Sequence, residues 1–188
     1  MFENIIKNVH NRHPLIHCIT NYVSINDCAN IVLACGGAPI MAEDINEVSQ
    51  ITSICQGLDI NIGMLNDNKL SSMLKAGATA NELGIPVILD PVGAGSSDYR
   101  IKAVQNLMSN VQFGVIRGNV SEIKAIAAKQ GIHNIAAGVY DTMQKDKSAM
   151  GVEAGIADKI TDDNIKEMAD FINKLSQKTG AVIAVTGR

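Results

Sequence analysis

The sequence has no tryptophan, and its three phenylalanines and three tyrosines leave aromatics at 3% of 188 residues. A core therefore has to be assembled from Ile, Val, Leu, Ala and Met, the palette of layered α/β proteins. The four cysteines, Cys18, Cys28, Cys35 and Cys55, lack the Cys-x-x-Cys spacing of a metal or redox pair. The start, Met1-Phe2-Glu3-Asn4, lacks the basic and apolar regions of a secretory leader, so reduced thiols in the cytoplasm are expected. No apolar run approaches the roughly 20 residues that cross a bilayer, which sets a membrane span aside. Basic runs and aromatic-interleaved Lys/Arg patches are also missing, and the formal net charge is only -3, so no nucleic-acid surface is expected. Small molecules are left as the expected ligands.

What is present is a regular alternation. Short β-branched runs alternate with longer stretches of helical period, the pattern of βα units on a mostly parallel sheet with helices on both faces. The strands are expected at Leu15 to Ile19, Ile60 to Ile62, Val87 to Leu89, Gly114 to Ile116 and Ala181 to Val185. Helices are expected near Phe2 to Asn11, Ser24 to Ala34, Asn68 to Leu83, Tyr99 to Asn110, Val120 to Ala128 and Asp163 to Lys178, the last capped by Asp162 or Thr161. The length fits one domain over residues 1–188.

Ligands of open α/β sheets gather at the carboxyl ends of strands, and those ends here are polar and glycine-rich. They run into Thr20-Asn21, Gly63, Asp90-Pro91-Val92-Gly93-Ala94-Gly95, Arg117-Gly118-Asn119 and Thr186-Gly187. A carboxylate such as Asp90 at a strand end, beside a loop open to anions, suits Mg²⁺ held against phosphate oxygens; it also suits a plain turn. Arg117 brings a guanidinium of the right geometry for phosphate. Asn119 and Glu122 share a helix face at its start, which is equally the spacing of a capping box. Asn21, Asn26 and Asn30 are placed to line one pocket or to lie on the surface. Gly36-Gly37-Ala38-Pro39-Ile40-Met41 reads as a flexible turn ending in a thioether, which on its own is core filler.

Taken in order, Ile19-Thr20-Asn21-Tyr22-Val23, Asn26, Ala29-Asn30, Gly36-Gly37-Ala38-Pro39-Ile40-Met41-Ala42-Glu43, Asn61-Ile62-Gly63, Asp90 to Gly95, Arg117-Gly118-Asn119-x-x-Glu122-Ile123 and Val185-Thr186-Gly187 closely resemble hydroxyethylthiazole kinases. The resemblance implies a three-layer ribokinase-like fold and ATP-dependent phosphorylation of the thiazole alcohol used in thiamine biosynthesis and salvage. It implies that Met41, Asn21 and Val23 contact the thiazole, in a site between subunits of a homotrimer. Arg117, Thr186 and Asn119 would contact ATP, and Asp90 and Glu122 would arrange Mg²⁺. The family's Gly-Thr/Ala-Gly-Cys turn, which supplies an anion hole and a Cys beside the alcohol, has no match among these residues, and none of the four cysteines replaces it. By that comparison the domain is incomplete at its C-terminus and lacks its C-terminal helices. Met150-Gly151-Val152-Glu153-Ala154 resembles a family Gly-Val-Asp-Ala segment. A polypeptide of Met1 to Arg188 is therefore expected to show negligible kinase turnover, and strand Ala181 to Val185 to leave an uncovered apolar face. A non-catalytic thiazole-binding or assembly remnant is the alternative; a kinase of another small alcohol is the weaker one, since such kinases lack the Asn-rich segment leading to Met41.

Overall fold

The structure, a computed structural model, describes residues 2–132, 160–162 and 164–187. Its helices among the described residues are α1 (Phe2–Arg12), α2 (Ile25–Ala34), α3 (Val48–Ser53), α4 (Asp67–Glu82), α5 (Asp98–Asn110), α6 (Val120–Lys129) and α7 (Ile165–Thr179). The strands are β1 (Leu15–Ile19), β2 (Ala38–Met41), β3 (Gly57–Asn61), β4 (Val87–Asp90), β5 (Val115–Asn119) and β6 (Val182–Thr186). They form one sheet in the order β2-β1-β3-β4-β5-β6, every pair parallel. The Met150 to Ala154 segment and Asp163 lie outside the described residues.

Alternation along the strands sorts their side chains. Ile19, Leu58, Ile60, Leu89 and Ile116 are fully buried and join Met73, Leu107, Ile123, Phe171 and Leu175 from the helices in one core cluster. Each such side chain contributes about 1.5–3 kcal/mol by leaving water, which explains why a chain so poor in aromatics holds a sheet of this size. Buried His17 joins this layer: its Nε2 donates to the Ala42 carbonyl at 2.8 Å and its Nδ1 lies 2.9 Å from the Thr52 hydroxyl. Burial lowers its pKa, so β1 is tied to α3 through a neutral imidazole.

Strand order gives the helices their sides. The chain leaves β1 toward β2 and then crosses back over β1 to β3, after which every step runs the same way. Right-handed crossovers therefore place α2 on the face opposite the helices that follow, and the carboxyl ends of β1 and β3 flank the point where the direction reverses. On the α2 face, coverage by the described residues is incomplete toward β4 and β6. Ile88 is 41% exposed and Val182 63% exposed.

Three elements depart from the sequence reading. The segment expected to be a flexible turn before Met41 contains the edge strand β2, in which Pro39 pairs with Ile16 of β1. An edge position tolerates a residue with no N–H, so proline does not break the strand there. Helix α3, six residues long, is too short to show a helical period. Helix α7 is headed by Asn164 rather than Asp162 or Thr161; the Asn164 side chain accepts from Thr161 N at 2.8 Å and makes no cap bond to its own helix.

Candidate functional site

Four consecutive strands in the sheet, β1, β3, β4 and β5, end in side chains that touch one another. Asn21, just past β1, donates through Nδ2 to Asn61 Oδ1 at 3.1 Å. Asn61 ends β3 and donates through its own Nδ2 to Asp90 Oδ2 at 3.0 Å. Arg117 on β5 reaches the same Asp90 oxygen at 3.5 Å. The row exists because the parallel register sets Asn61 beside Asp90, and because their common face turns away from the apolar core. A side chain at Gly63 would not fit: a Cβ there would stand 2.9 Å from Asn61 Oδ1 and 3.0 Å from Asn21 Nδ2.

Asp90 therefore has one oxygen engaged twice and no hydrogen bond to the other among the described residues. Its pKa is raised, chiefly by burial; the Arg117 charge opposes this and the Glu122 charge adds to it. The half-buried Asp59, lower on the same face of β3, is pushed up to about 6 by burial and by Asp90, against Arg117. A carboxylate held above its ordinary range, next to a second one, is a place where a cation is welcome.

Glu122 is buried and has both oxygens in use. Oε2 accepts from Asn119 N at 2.8 Å and Oε1 from Gly93 N at 2.9 Å, while Asn119 Oδ1 accepts from Glu122 N at 2.9 Å. This is a complete capping box at the start of α6, with one carboxylate oxygen lent to the Asp90–Gly95 loop. The cap reading of this pair is thus a structural fact, and its consequence is that the loop's backbone is fixed relative to β5. Thr186, at the end of β6, donates to the Gly118 carbonyl at 3.3 Å, which brings a fifth strand end to the rim.

The other predicted residues are placed less uniformly. Met41 ends β2 half-buried, opposite Cys18 of β1. Val23 is 93% exposed on the loop before α2. Asn26 and Asn30 do not join Asn21: both are exposed on α2 and their side chains make no hydrogen bond among the described residues. All four cysteines are free, and burial pushes the Cys18 thiol to about 12.

Sequence reasoning passed over Arg100 and Lys69. Arg100 Nη1 donates to the carbonyls of Ile62 (2.7 Å) and Val92 (2.8 Å), and Nη2 to that of Gly63 (2.9 Å), so one guanidinium staples the ends of β3 and β4. Lys69 is buried and bonds the Thr20 carbonyl and Glu43. An Arg or Lys in a helix's first turn is the sequence signal, since a cation there opposes the helix dipole and needs another reason.

No group of three or more His, Cys, Asp or Glu that could hold a metal occurs among the described residues. Mg²⁺ does not require one, because it keeps several waters and binds through one or two carboxylates and substrate phosphates. An open cavity of about 440 Å³ lined in part by Asn81, Gln112, Phe113 and Lys178 lies at the amino ends of β5 and β6, away from the rim. No helix among the described residues is long and apolar enough to cross a membrane.

The sequence model of the hydroxyethylthiazole kinase family matches residues 6–188. A hydroxyethylthiazole kinase of Clostridium acetobutylicum is 52% identical over 187 residues, covering 100% of this chain and 63% of the relative. One of Desulfovibrio desulfuricans is 45% identical over 187 residues, covering 100% of this chain and 60% of the relative. The solved hydroxyethylthiazole kinase protein of Pyrococcus horikoshii superposes with a TM-score of 0.78 at 30% identity, covering 98% of this chain and 59% of that one. The chain thus spans 60% to 63% of the length of these curated relatives.

Proposed function

We propose that this chain, which belongs to the hydroxyethylthiazole kinase family, serves ATP-dependent phosphorylation of the hydroxyl of hydroxyethylthiazole in thiamine biosynthesis and salvage. The observation that carries the reading is the row Asn21–Asn61–Asp90–Arg117, joined by hydrogen bonds across the reversal point of the sheet. Amides at one end of it suit a neutral heterocycle, and an acid and a guanidinium at the other suit a polyphosphate with its cation.

In this reading Met41, Asn21 and Val23 hold the thiazole. Arg117, Asn119 and Thr186 face ATP, and the loop fixed by Glu122 and Arg100 keeps the phosphate region rigid. Of the two carboxylates read as arranging Mg²⁺, Asp90 would hold it through the oxygen that accepts no hydrogen bond among the described residues, while buried Glu122, with both oxygens engaged, would add negative charge to the same locality. When bound, Mg²⁺ supplies neutralisation of phosphate charge, the main requirement of phosphoryl transfer beside positioning. The nearly naked Val23 and helix α2, which buries none of its residues, favour a site shared between subunits of a homotrimer. Free thiols fit a cytoplasmic setting.

Calorimetric titration with hydroxyethylthiazole, with and without MgATP, tests the reading. Binding that falls about tenfold or more in Asn21→Ala or Met41→Ala is expected, on the scale of one lost hydrogen bond or apolar contact. Loss of the Mg²⁺ dependence of ATP binding in Asp90→Asn is expected with it. No binding of the thiazole under either condition would overturn the assignment. Turnover by the polypeptide Met1 to Arg188 is expected to be negligible beside that of a polypeptide matching the relatives' length, because the anion-hole turn is not among its residues.

A further inference from the structure

Helix α4 begins with a residue that its local position does not explain. Asn66 is the N-cap, its side chain accepting from the backbone N of Lys69, so Lys69 occupies the third helical position. That position favours Glu or Gln, which closes a capping box, and the positive end of the helix dipole repels a cation. Lys69 is also 4% exposed, so an ammonium has been taken out of water against both preferences. Such a charge persists only where its partners over-compensate it.

Those partners are specific. Nζ donates to the Thr20 carbonyl at 2.5 Å and to Glu43 Oε2 at 2.7 Å, and it stands 4.6 Å from the centroid of the Tyr22 ring. The Tyr22 hydroxyl donates to the other oxygen of Glu43, closing a ring of three side chains. Glu43 stays ionised below the ordinary carboxylate range, with Lys69 and Tyr22 as its donors overcoming the effect of burial. Thr20 and Tyr22 flank Asn21 on the loop that carries Val23, and Glu43 follows Met41 by two positions after β2.

We infer that Lys69 is a positioning residue for the acceptor pocket, clamping the 20–24 loop to the end of β2 so that Asn21 and Val23 keep a fixed relation to Met41. The inference rests on the reading of those three residues as the thiazole contacts. Lys69 itself need not touch the thiazole. Its charge is consumed by Thr20, Glu43 and Tyr22, and its effect is to remove the freedom of an exposed loop before ligand arrives. The Asn21–Asn61 bond ties the same loop to β3, whereas Lys69 and Tyr22 tie it to Glu43 just past β2.

The test compares wild type with Lys69→Met and, as a milder change on the exposed ring, Tyr22→Phe. Two readouts are taken: calorimetric affinities for hydroxyethylthiazole and for MgATP, and amide hydrogen exchange. In Lys69→Met, thiazole affinity is expected to fall about tenfold with MgATP affinity unchanged, and exchange at residues 21–24 to quicken about tenfold, the scale of one charged hydrogen bond. Tyr22→Phe moves the same quantities in the same direction by about threefold, in keeping with a weaker neutral partner. Unchanged exchange at 21–24 in both variants overturns the clamp. Parallel loss of both affinities and of protection in β3 and β4 overturns it too, since that marks general destabilisation. If wild type binds no thiazole, the functional reading fails separately and the exchange comparison alone decides the clamp.

Discussion

Asp59 shows how one side chain reports on the electrostatics of the rim. It sits between Leu58 and Ile60, which face the core, so strand alternation turns its carboxyl to the other face, beside Cys18. No hydrogen bond to its carboxyl occurs among the described residues, and its folded pKa of about 6 lies above the ordinary value of 3.8. The folded chain therefore keeps this proton to higher pH than the unfolded chain does. Below both values nothing is gained or lost; between them folding is progressively penalised; above the folded value the full penalty, about 3 kcal/mol at most, is in force. Replacing Asp59→Asn should raise the free energy of unfolding by urea at about pH 7.5 and leave it unchanged near pH 3.5, measured without Mg²⁺. Equal gains at both pH values would assign the effect to packing instead. Glu122 is the opposite case, a buried carboxylate whose two oxygens serve two backbone N–H groups. Its replacement Glu122→Ala strands both donors and should lower stability by about 2–4 kcal/mol, read by the same urea melts. It should also loosen the Asp90–Gly95 loop.

At the scale of elements, α4 and the strand ends show what a sequence exposes and what it conceals. In α4, Gly77 is buried against Val111, the residue that follows α5: a Cβ there would lie 2.5 Å from Val111 Cγ2. Alanine in a helix interior is ordinarily worth up to about 1 kcal/mol over glycine, but here the collision outweighs it, so Gly77→Ala should destabilise by about 1–3 kcal/mol. Adding Val111→Ala should recover part of that loss in thermal melts, and failure to recover any would place the strain elsewhere. The longer helices and the buried strands were legible because their signals are local. Leu15–Ile19 falls where the apolar run lies, and Asn119 is a cap adjacent to what it caps. Strand β2 was hidden by Pro39, whose tolerance depends on an edge position that only the sheet order reveals. The site divided in the same way. Asp90, Arg117 and Asn21 were legible as polar residues at strand ends. The bonds that make them an array span long separations, as from Asn21 to Asn61 and from Asn61 to Asp90, and no period encodes them. Lys69 and Arg100 escaped for the same reason, since their partners lie on other elements.

Considered whole, the molecule has one well-covered sheet face and one that is covered unevenly. The face bearing Ile19, Leu58, Leu89 and Ile116 is closed by helices, with Leu107, Ile123, Phe171 and Leu175 packed in the same cluster. Among the described residues the one crossover helix on the other face is α2, which packs on β2 at the far edge, and Ile88 on β4 and Val182 on β6 are exposed. Exposed apolar residues joined to an unpaired strand edge promote association of chains. The polypeptide of 188 residues is therefore expected to self-associate in a concentration-dependent way. The double replacement Ile88→Lys and Val182→Lys should suppress this, as read by light scattering. Because both side chains are already exposed, the change should cost each site no more than about 0.5 kcal/mol, and circular dichroism should be unaltered. The homotrimer proposed above uses a different surface, around Val23 and α2, so Val23→Asp should act on it independently. If the lysine pair leaves scattering unchanged while Val23→Asp abolishes it, association belongs wholly to the α2 side and the open face plays no part.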